Sequence, residues 1–437
     1  MNNFNINQMK LIGPCREQME MQFNFLDILI PPDHLARSIW KFVEMMDTRP
    51  CFEYINTFIA CGGRSTTSPK ILLAVWIYSI LDGNCSARKL EILCKNHNAY
   101  KWIVGGAPIN RTMLANFRSK DPSKFEDLLT NCLAVMFKAD LIKDEDFSQD
   151  GTRIKANAGF NSFRKEQSLE KIKEEIKLYI KELMNEVFEN AYENREKEKK
   201  IRIETERLKR VEEALKTLEK ERIIKKENGD KNYKRPSEED LKNVRASFTD
   251  PCVRKMKMGD NGFRLAFNVQ FATGMDSRVI YAADVVTTSD PGTAPKMMAQ
   301  VHSRLAKLKM MAPKNWIGDA AYSGKDDINI TAKLFPNCRY FAPPKVNKEY
   351  DPKMHRKGDT DAIKKWRDMI DTDEIKEIYK KRCSTAEFSN AQIKNCGLRE
   401  FLVRGIEKVK GMTLLHVIAQ NISRYFDLLK RKEQFIN

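Results

Sequence analysis

The sequence lacks any apolar run that could cross a membrane. Its longest run, from Ile71 to Leu81, has 11 residues, whereas a membrane-spanning helix needs about 20. The opening segment, MNNFNINQMK, lacks the apolar stretch of a secretory signal. We therefore expect a soluble intracellular protein with no membrane partner.

The sequence also lacks the spacings of a structural zinc site. None of the 10 cysteines forms a CxxC pair, and the 5 histidines show neither HExxH nor C2H2 spacing. A chain of 437 residues is too long for the class of small, disulfide-framed secreted domains. We expect reduced thiols that are buried as small apolar side chains.

Acidic residues are outnumbered by basic ones. Lysine and arginine total 77 against 60 aspartates and glutamates, which gives a formal charge of +17. An excess of this size favours a polyanionic partner such as nucleic acid. With 42% hydrophobic residues, the chain is long enough for two or three domains with their own cores.

Strand signals are sparse in residues 1–144, which we interpret as an all-α N-terminal domain. Apolar residues recur three and four positions apart from Leu35 to Met46. Ser68 and Pro69 predict the start of one helix and Ser86 the start of the next, with a Gly-Asn turn between them. This pair fits a DNA-binding helix-turn-helix or an ordinary helical bundle, and periodicity does not separate the two.

A charged segment extends from Lys165 to Glu227. It contains 18 basic and 17 acidic residues, so its charges nearly cancel and the basic excess lies elsewhere. We predict a helical hairpin or coiled-coil arm, within an insertion over residues 163–245, that turns between Asn185 and Arg195 or ends after Glu227. It would pair protomers, clamp DNA or act as a spacer, and a hairpin that packs only on itself is an equal alternative. The predicted apolar seam consists of Ile172, Ile176, Tyr179, Leu183, Leu208, Val211, Leu215 and Leu218.

Strand patterns replace helical ones after the arm. The predicted order is strand, helical insertion, strand, strand, helix, strand, helix, strand, helix. This order favours an α/β fold over residues 145–430, with a ribonuclease H-like mixed sheet flanked by helices. The predicted strands are Glu145–Ile154, Phe263–Ala272, Val279–Thr288, Asn315–Ala320 and Arg339–Ala342, and the predicted helices are Thr293–Leu308, Lys325–Leu334 and Asp371–Cys396.

Three acidic residues stand out by their positions in this order. Asp150 lies in the first predicted strand, Asp319 at the C-terminal end of the fourth, and Glu387 on the last long helix. We expect the first and fourth strands to be parallel neighbours, so that their aspartates can approach while the helix supplies the glutamate. Three hard oxygen ligands suit Mg²⁺ or Mn²⁺ held together with substrate phosphates, and two such ions would promote phosphodiester cleavage.

Each of these carboxylates also has a plainer interpretation. Asp150 precedes Gly151, as turn aspartates often do. Asp319 is placed as a helix N-cap, and Glu387 is one of 60 acidic residues, which are mostly solvated. Only the joint position of the three favours a metal site.

The segments around the two aspartates resemble those of the bacterial insertion-sequence DDE transposases. DGTRIKANA around Asp150 and GDAAYSG around Asp319 are similar to the two aspartate blocks of that family. SARKLE, NRTMLANFRSK, TDPCVRKMKMGDNGFRLAFNVQ and CGLREFLVRG resemble further segments of the family, in the same order.

The last helix resembles the part of that family with a tyrosine, arginine, glutamate, lysine signature. The matching residues are Tyr379, Arg382, Glu387 and Lys394. At about 100° per residue these four lie within roughly 140° of the helix circumference. One helix face would therefore present a carboxylate flanked by two cations and a phenol.

The resemblance implies a transposase that cleaves and transfers DNA strands at the ends of an insertion sequence. In the family, three carboxylates bind two Mg²⁺ ions, with Mn²⁺ as a substitute, and water and then the freed 3′-hydroxyl attack phosphodiesters. The implied catalytic and metal-binding residues are Asp150, Asp319 and Glu387. The implied partners are double-stranded DNA, as terminal inverted repeats and target, and further copies of the chain in a synaptic complex at the bacterial nucleoid, in the cytoplasm. The predicted DNA contacts are Tyr379, Arg382, Lys394, Arg399, Arg404 and Arg118.

Two other functions are compatible with these features. One is a non-catalytic DNA-binding protein derived from a transposase, and an intact acidic trio argues against it. The other is a stand-alone nuclease, which would not require specific DNA ends.

Overall fold

The computed structural model describes residues 25–53, 55, 66–186, 191–231, 235–345 and 351–436. Within them the chain is a mixed α/β structure, in which helices precede and follow a mixed sheet that a long helical arm interrupts. None of the described helices combines the length and the apolar character needed to cross a membrane. The opening segment MNNFNINQMK lies outside the described residues.

The described part of the N-terminal region is helical, as predicted. Its helices are α1 Leu35–Met45, α2 Pro69–Leu81, α3 Ala87–Asn96, α4 Asn98–Val104, α5 Arg111–Ser119 and α6 Lys124–Lys138. α2 begins at Pro69, whose missing amide hydrogen and fixed φ suit a first helical position. Gly83 turns the chain towards α3 with a φ of 73°. Residues 72–80 of α2 are all buried, so α2 is the core of a bundle and has no face free to enter a DNA groove.

A six-stranded mixed sheet follows, and it contains all five predicted strands. The strands of the chain are β1 Asp146–Lys155, β2 Phe163–Arg164, β3 Ala246–Ser247, β4 Arg254–Lys257, β5 Phe263–Gly274, β6 Ile280–Val286, β7 Asn315–Ile317 and β8 Arg339–Phe341. β1 pairs antiparallel with β5 on one side and parallel with β7 on the other. β4 and β6 pair with the far edge of β5, and β8 pairs parallel with β7. β2 and β3 form a separate two-stranded ladder.

The charged segment forms a hairpin of two long helices, as predicted. They are α7 Glu166–Asn185 and α8 Ala191–Lys231, and the short helix α9 Glu238–Lys242 follows. Leu169, Ile176 and Leu183 of α7 share a buried cluster with Val211 and Leu218 of α8. The prediction for Tyr179 is wrong, because its side chain is exposed and does not join this seam.

In the described part of the chain, five α-helices lie after β6. They are α10 Ala294–Lys307, α11 Lys325–Leu334, α12 Asp361–Met369, α13 Asp373–Asn395 and α14 Ile406–Ile436. The sequence predicts the helix near Asp371 as the last element. This prediction is wrong, because α14 follows it. Residues 411–422 of α14 are all buried, so this stretch lacks the polar face by which an amphipathic helix is recognised.

α14 joins the N-terminal helices to the sheet. It contacts α2, α5 and α6 on one side and β6 on the other, within one continuous apolar cluster. The fully buried Asn421 accepts a hydrogen bond from the backbone nitrogen of Ile280 at 2.9 Å and donates one to its carbonyl oxygen at 2.8 Å. The described cysteines are free thiols, and most of them are buried, as expected.

Replacing Asn421 with alanine should leave both backbone groups of Ile280 buried and unpaired. Since each such group costs about 1–3 kcal/mol, we expect the free energy of unfolding to fall by roughly 2–5 kcal/mol. Urea unfolding followed by circular dichroism measures this. Glu433→Ala, at an exposed position of the same helix, is the control and should change little. A variant within about 0.5 kcal/mol of wild type would contradict the role of Asn421.

Candidate active site

The register between two parallel strands places Asp150 beside Asp319. Ser148 of β1 pairs with Ile317 of β7, and two further residues along each chain lead to the two aspartates. Neighbouring strands lie about 4.8 Å apart, and the Asp319 charge acts to raise the pKa of Asp150.

Asp319 also begins a short helical turn. Its Oδ1 accepts a hydrogen bond from the backbone nitrogen of Ala321 at 2.8 Å, at the start of the 3-10 helix Ala320–Tyr322. The plainer interpretation of Asp319 as an N-cap is therefore confirmed. It does not compete with a role in the site, because the cap uses only one of the two carboxylate oxygens.

Asp150 is held by two side chains of α13. Arg382 donates from Nη2 to one carboxylate oxygen at 3.0 Å, and Asn390 donates from Nδ2 to the other at 2.6 Å. Burial raises the pKa of Asp150, and Arg382 and Asn390 oppose this shift. Asp150 lies within β1 and not in a turn, so its turn interpretation is wrong.

A glycine lies next to each of the two aspartates, and the side chains of other residues pack directly against it. A Cβ atom at Gly151 would lie 2.3 Å from Nε2 of Gln270 and 2.4 Å from Oδ1 of Asp290. A Cβ atom at Gly318 would lie 2.9 Å from the side chain of Tyr322. A side chain in place of either glycine would therefore force these neighbours to shift.

A buried polar network lies against the aspartate strands. Gln270 donates to Asp290 at 2.8 Å and accepts from the hydroxyl of Tyr322 at 2.5 Å. Burial raises the pKa of Tyr322 well above its ordinary value, and the charges of Asp290, Asp150 and Asp319 act in the same direction. Tyr322 therefore remains protonated and can act as a donor that fixes Gln270 beneath Gly151.

Glu387 does not join the two aspartates in this structure. Its side chain is exposed on α13, about 60° around the helix from Asn390 by the 100° rule. Among the described residues, Glu387 has no hydrogen bond or ion pair, and no group of three or more histidine, cysteine, aspartate or glutamate side chains is placed to hold a metal ion.

The structure contradicts one predicted DNA contact. Arg118 is buried, donates to the carbonyl oxygen of Cys85 at 2.9 Å and lies 4.8 Å from the ring centroid of Trp76. Burial lowers the pKa of this guanidinium to about 10. Arg118 therefore stabilises the helical bundle, and it is not available to a phosphate.

The other predicted DNA contacts lie at different depths. Arg399 and Arg404 are exposed, and Lys394 is half-buried. Tyr379 is half-buried with its ring 6.1 Å from that of Phe341. Arg382 is buried against Asp150, so in this structure its charge faces a carboxylate.

Asn390 is not among the site residues that the sequence predicts. It lies eight residues after Arg382, slightly more than two helical turns, so both side chains can reach Asp150. That spacing was visible in the sequence, but an amide is not among the residue types that usually indicate acid–base or metal chemistry. Its Oδ1 is buried and has no hydrogen-bond partner in the described part of the chain.

Two family models match parts of the chain. Residues 337–426 match a transposase DDE domain, and residues 24–120 match a transposase domain, DUF772. These matches indicate a transposase. The first range includes α13 with Glu387, whereas Asp150 and Asp319 lie outside both ranges. No curated protein and no solved structure matches the chain.

Replacing Gly151 with alanine should force Gln270 and Asp290 away from β1. Overpacking of this kind costs about 1–3 kcal/mol, and we expect that loss in the free energy of unfolding, measured in urea. Gly159→Ala is the control, because a Cβ atom there meets nothing within 4 Å. Equal stability of the two variants would show that the close contact at Gly151 relaxes without cost.

Proposed function

We propose that this transposase cleaves and joins DNA at the ends of an insertion sequence, on a ribonuclease H-like fold. The register between β1 and β7, which brings Asp150 level with Asp319 two residues after β7 ends, supports this most directly. The transposase DDE match also supports this proposal, because it covers α13, whose Arg382 and Asn390 bind Asp150. We also propose a helical DNA-binding domain over residues 1–144 and a catalytic domain over 145–430 with the insertion 163–245.

The oxygen atoms around Asp150 fit a hard divalent cation. Two carboxylates lie close together, and beside them the buried Oδ1 of Asn390 has no hydrogen-bond partner among the described residues. Oxygen ligands of this kind suit Mg²⁺ or Mn²⁺. When bound, two such ions would activate the attacking oxygen and stabilise the leaving oxygen of a phosphodiester.

The chain's own residues would have separate roles in this reaction. Asp150 and Asp319 would hold the metal, and Glu387 would join them after a change of its side-chain direction. Arg382 would keep Asp150 ionised until a metal binds. Exposed Arg399 and Arg404, together with Tyr379 and Lys394, would position the DNA backbone, as phosphate contacts do. The substrates would be terminal inverted repeats and target DNA, bound by a homo-oligomer in a bacterial nucleoid.

A non-catalytic DNA-binding function is the second candidate. The observation that favours it is the exposed position of Glu387, away from the aspartate pair. Such a protein would bind the same DNA but would not cleave it.

Asp319→Asn should reduce Mg²⁺-dependent cleavage by roughly 10⁴-fold, while binding of the same DNA is largely retained. The probe is a labelled duplex with the DNA that flanks this gene. Glu387→Gln should have a similar effect, whereas Glu377→Gln, at an exposed position of α13, is the control. Cleavage retained by Asp319→Asn would remove Asp319 from the site. Specific binding by wild type without cleavage in Mg²⁺ or Mn²⁺ would favour the second candidate.

Asn390→Ala should move the acid limb of the cleavage rate to higher pH. The variant loses a hydrogen bond to the ionised form of Asp150, so the pKa of this carboxyl, already raised by burial, rises further. A protonated carboxyl cannot bind the metal, and the rate therefore falls off at a higher pH, by up to about one unit. Asn395→Ala, at the exposed end of α13, is the control. An unchanged profile at lower overall rate would reduce Asn390 to a packing role.

A further inference from the structure

A groove of about 600 Å³ lies where the arm joins the sheet. Phe160 and Phe163 line it on the outgoing chain, Lys225 lies near the end of α8, Arg245 lies on the returning chain, and Lys255 lies on β4. The β2–β3 ladder closes the base of the arm beside it, with Phe163 opposite Ser247. We call this surface the arm-base groove.

The arm-base groove has an excess of positive charge. Its one acidic residue, Glu221, is bound to Arg254 by two donors at 2.6 and 2.9 Å. Lys225, Arg245 and Lys255 are exposed, and none of them has an ion pair with another described residue. Three cations therefore face solvent without an ion pair to a described acidic residue. This contrasts with the arm as a whole, in which acidic and basic residues nearly cancel.

Exposed aromatic rings accompany these cations. Phe160 is 49% exposed, and Phe263 is 52% exposed with Nζ of Lys255 4.8 Å from its ring centroid. Cations interleaved with aromatic faces suit a nucleic acid, whose phosphates pair with the cations while its sugars and bases contact the rings. An acidic peptide would satisfy the charge but would have less use for the rings.

The groove lies within reach of DNA bound at the aspartates. Arg254 of β4 pairs with Ala266 of β5, which pairs with Lys155 of β1, so these residues form one row across the sheet. Asp150 is five residues from Lys155 along β1, about 17 Å at ~3.4 Å per residue. Arg254 lies a further two strands, about 10 Å, to the side, so the groove and Asp150 are about 20 Å apart, or about six base-pair steps of a duplex at ~3.4 Å each. Lys255 pairs with Leu265 of β5, six residues from Phe271, which pairs with Asp150, so the side chains of Lys255 and Asp150 lie on the same face of the sheet.

We propose that the arm-base groove binds the phosphate backbone of the duplex that enters the aspartate site. The proposal rests on the proposed transposase function for the identity of the partner. It gives the base of the arm a binding role.

The test uses the full chain with Lys225→Gln, Arg245→Gln and Lys255→Gln combined. Its affinity for a labelled linear duplex is measured against salt concentration. Because log K falls by about 0.9 per neutralised phosphate for each unit of log salt, loss of three contacts should flatten the slope by nearly 3. The matched control is Lys309→Gln, Lys333→Gln and Lys365→Gln, which removes three exposed lysines that do not line the groove.

A slope that flattens in the groove variant and not in the control supports the proposal. Equal slopes in both variants overturn it. A changed oligomeric state with unchanged DNA affinity also overturns it, since the groove would then bind a second copy of the chain. Cleavage is not part of this measurement, so a protein that binds through the groove but does not cut DNA would contradict the proposed reaction and leave the groove assignment intact.

Discussion

The contact of Asp150 with Arg382 and Asn390 fixes the relation between the central strand and α13. Asp150 is largely buried next to a second carboxylate, an arrangement that disfavours ionisation. The guanidinium 3.0 Å away offsets part of this cost, and so does the amide. Without these partners, the strand and the helix would both present polar groups to a low-dielectric interface. The same contact explains why a metal ion and Arg382 would compete for one carboxylate, because each supplies the positive charge that Asp150 requires.

The residues around this contact are closely packed. Gly151 admits Gln270 and Asp290, and Gly318 admits Tyr322, so the chains next to both aspartates are in close contact with side chains that are themselves hydrogen-bonded. At the edge strand β6, Asn421 of α14 hydrogen-bonds the backbone of Ile280, and α14 also contacts the N-terminal helices. Asp150 is therefore placed on the central strand and Asp319 at the cap that directly follows β7, which gives both carboxylates fixed positions. Of the three predicted ligands, Glu387 on the exposed flank of α13 has no hydrogen bond or ion pair with another described residue.

Much of this architecture was predictable because its signals are local. The hairpin of the arm, the strands around Asp150 and Asp319 and the helix Lys325–Leu334 follow from periodicity and turn residues. The uniformly buried middle of α14 gives no periodic signal, so the helix was missed. Arg118 shows the opposite error, a predicted DNA contact that the structure does not support. The sequence places a cation after a pair of helices, but only tertiary packing decides whether its guanidinium lies over Trp76 or in solvent. Asn390 was missed because its importance comes from its partner on another element.

The position of the arm is explained by the same sheet. β1 and β5 are antiparallel neighbours, so the chain that leaves β1 must return nearby to reach β5. A hairpin inserted between them closes at its base through the β2–β3 ladder. The pairing of β1 with β5 is therefore not disturbed. Such an insertion can grow long at small entropic cost, because its ends are already held together. The helices of the arm have balanced charges. Where the arm meets β4, in contrast, Lys225, Arg245 and Lys255 are exposed and have no ion pair with another described residue. The part of the arm nearest Asp150 and Asp319 is thus also the part best suited to a polyanion.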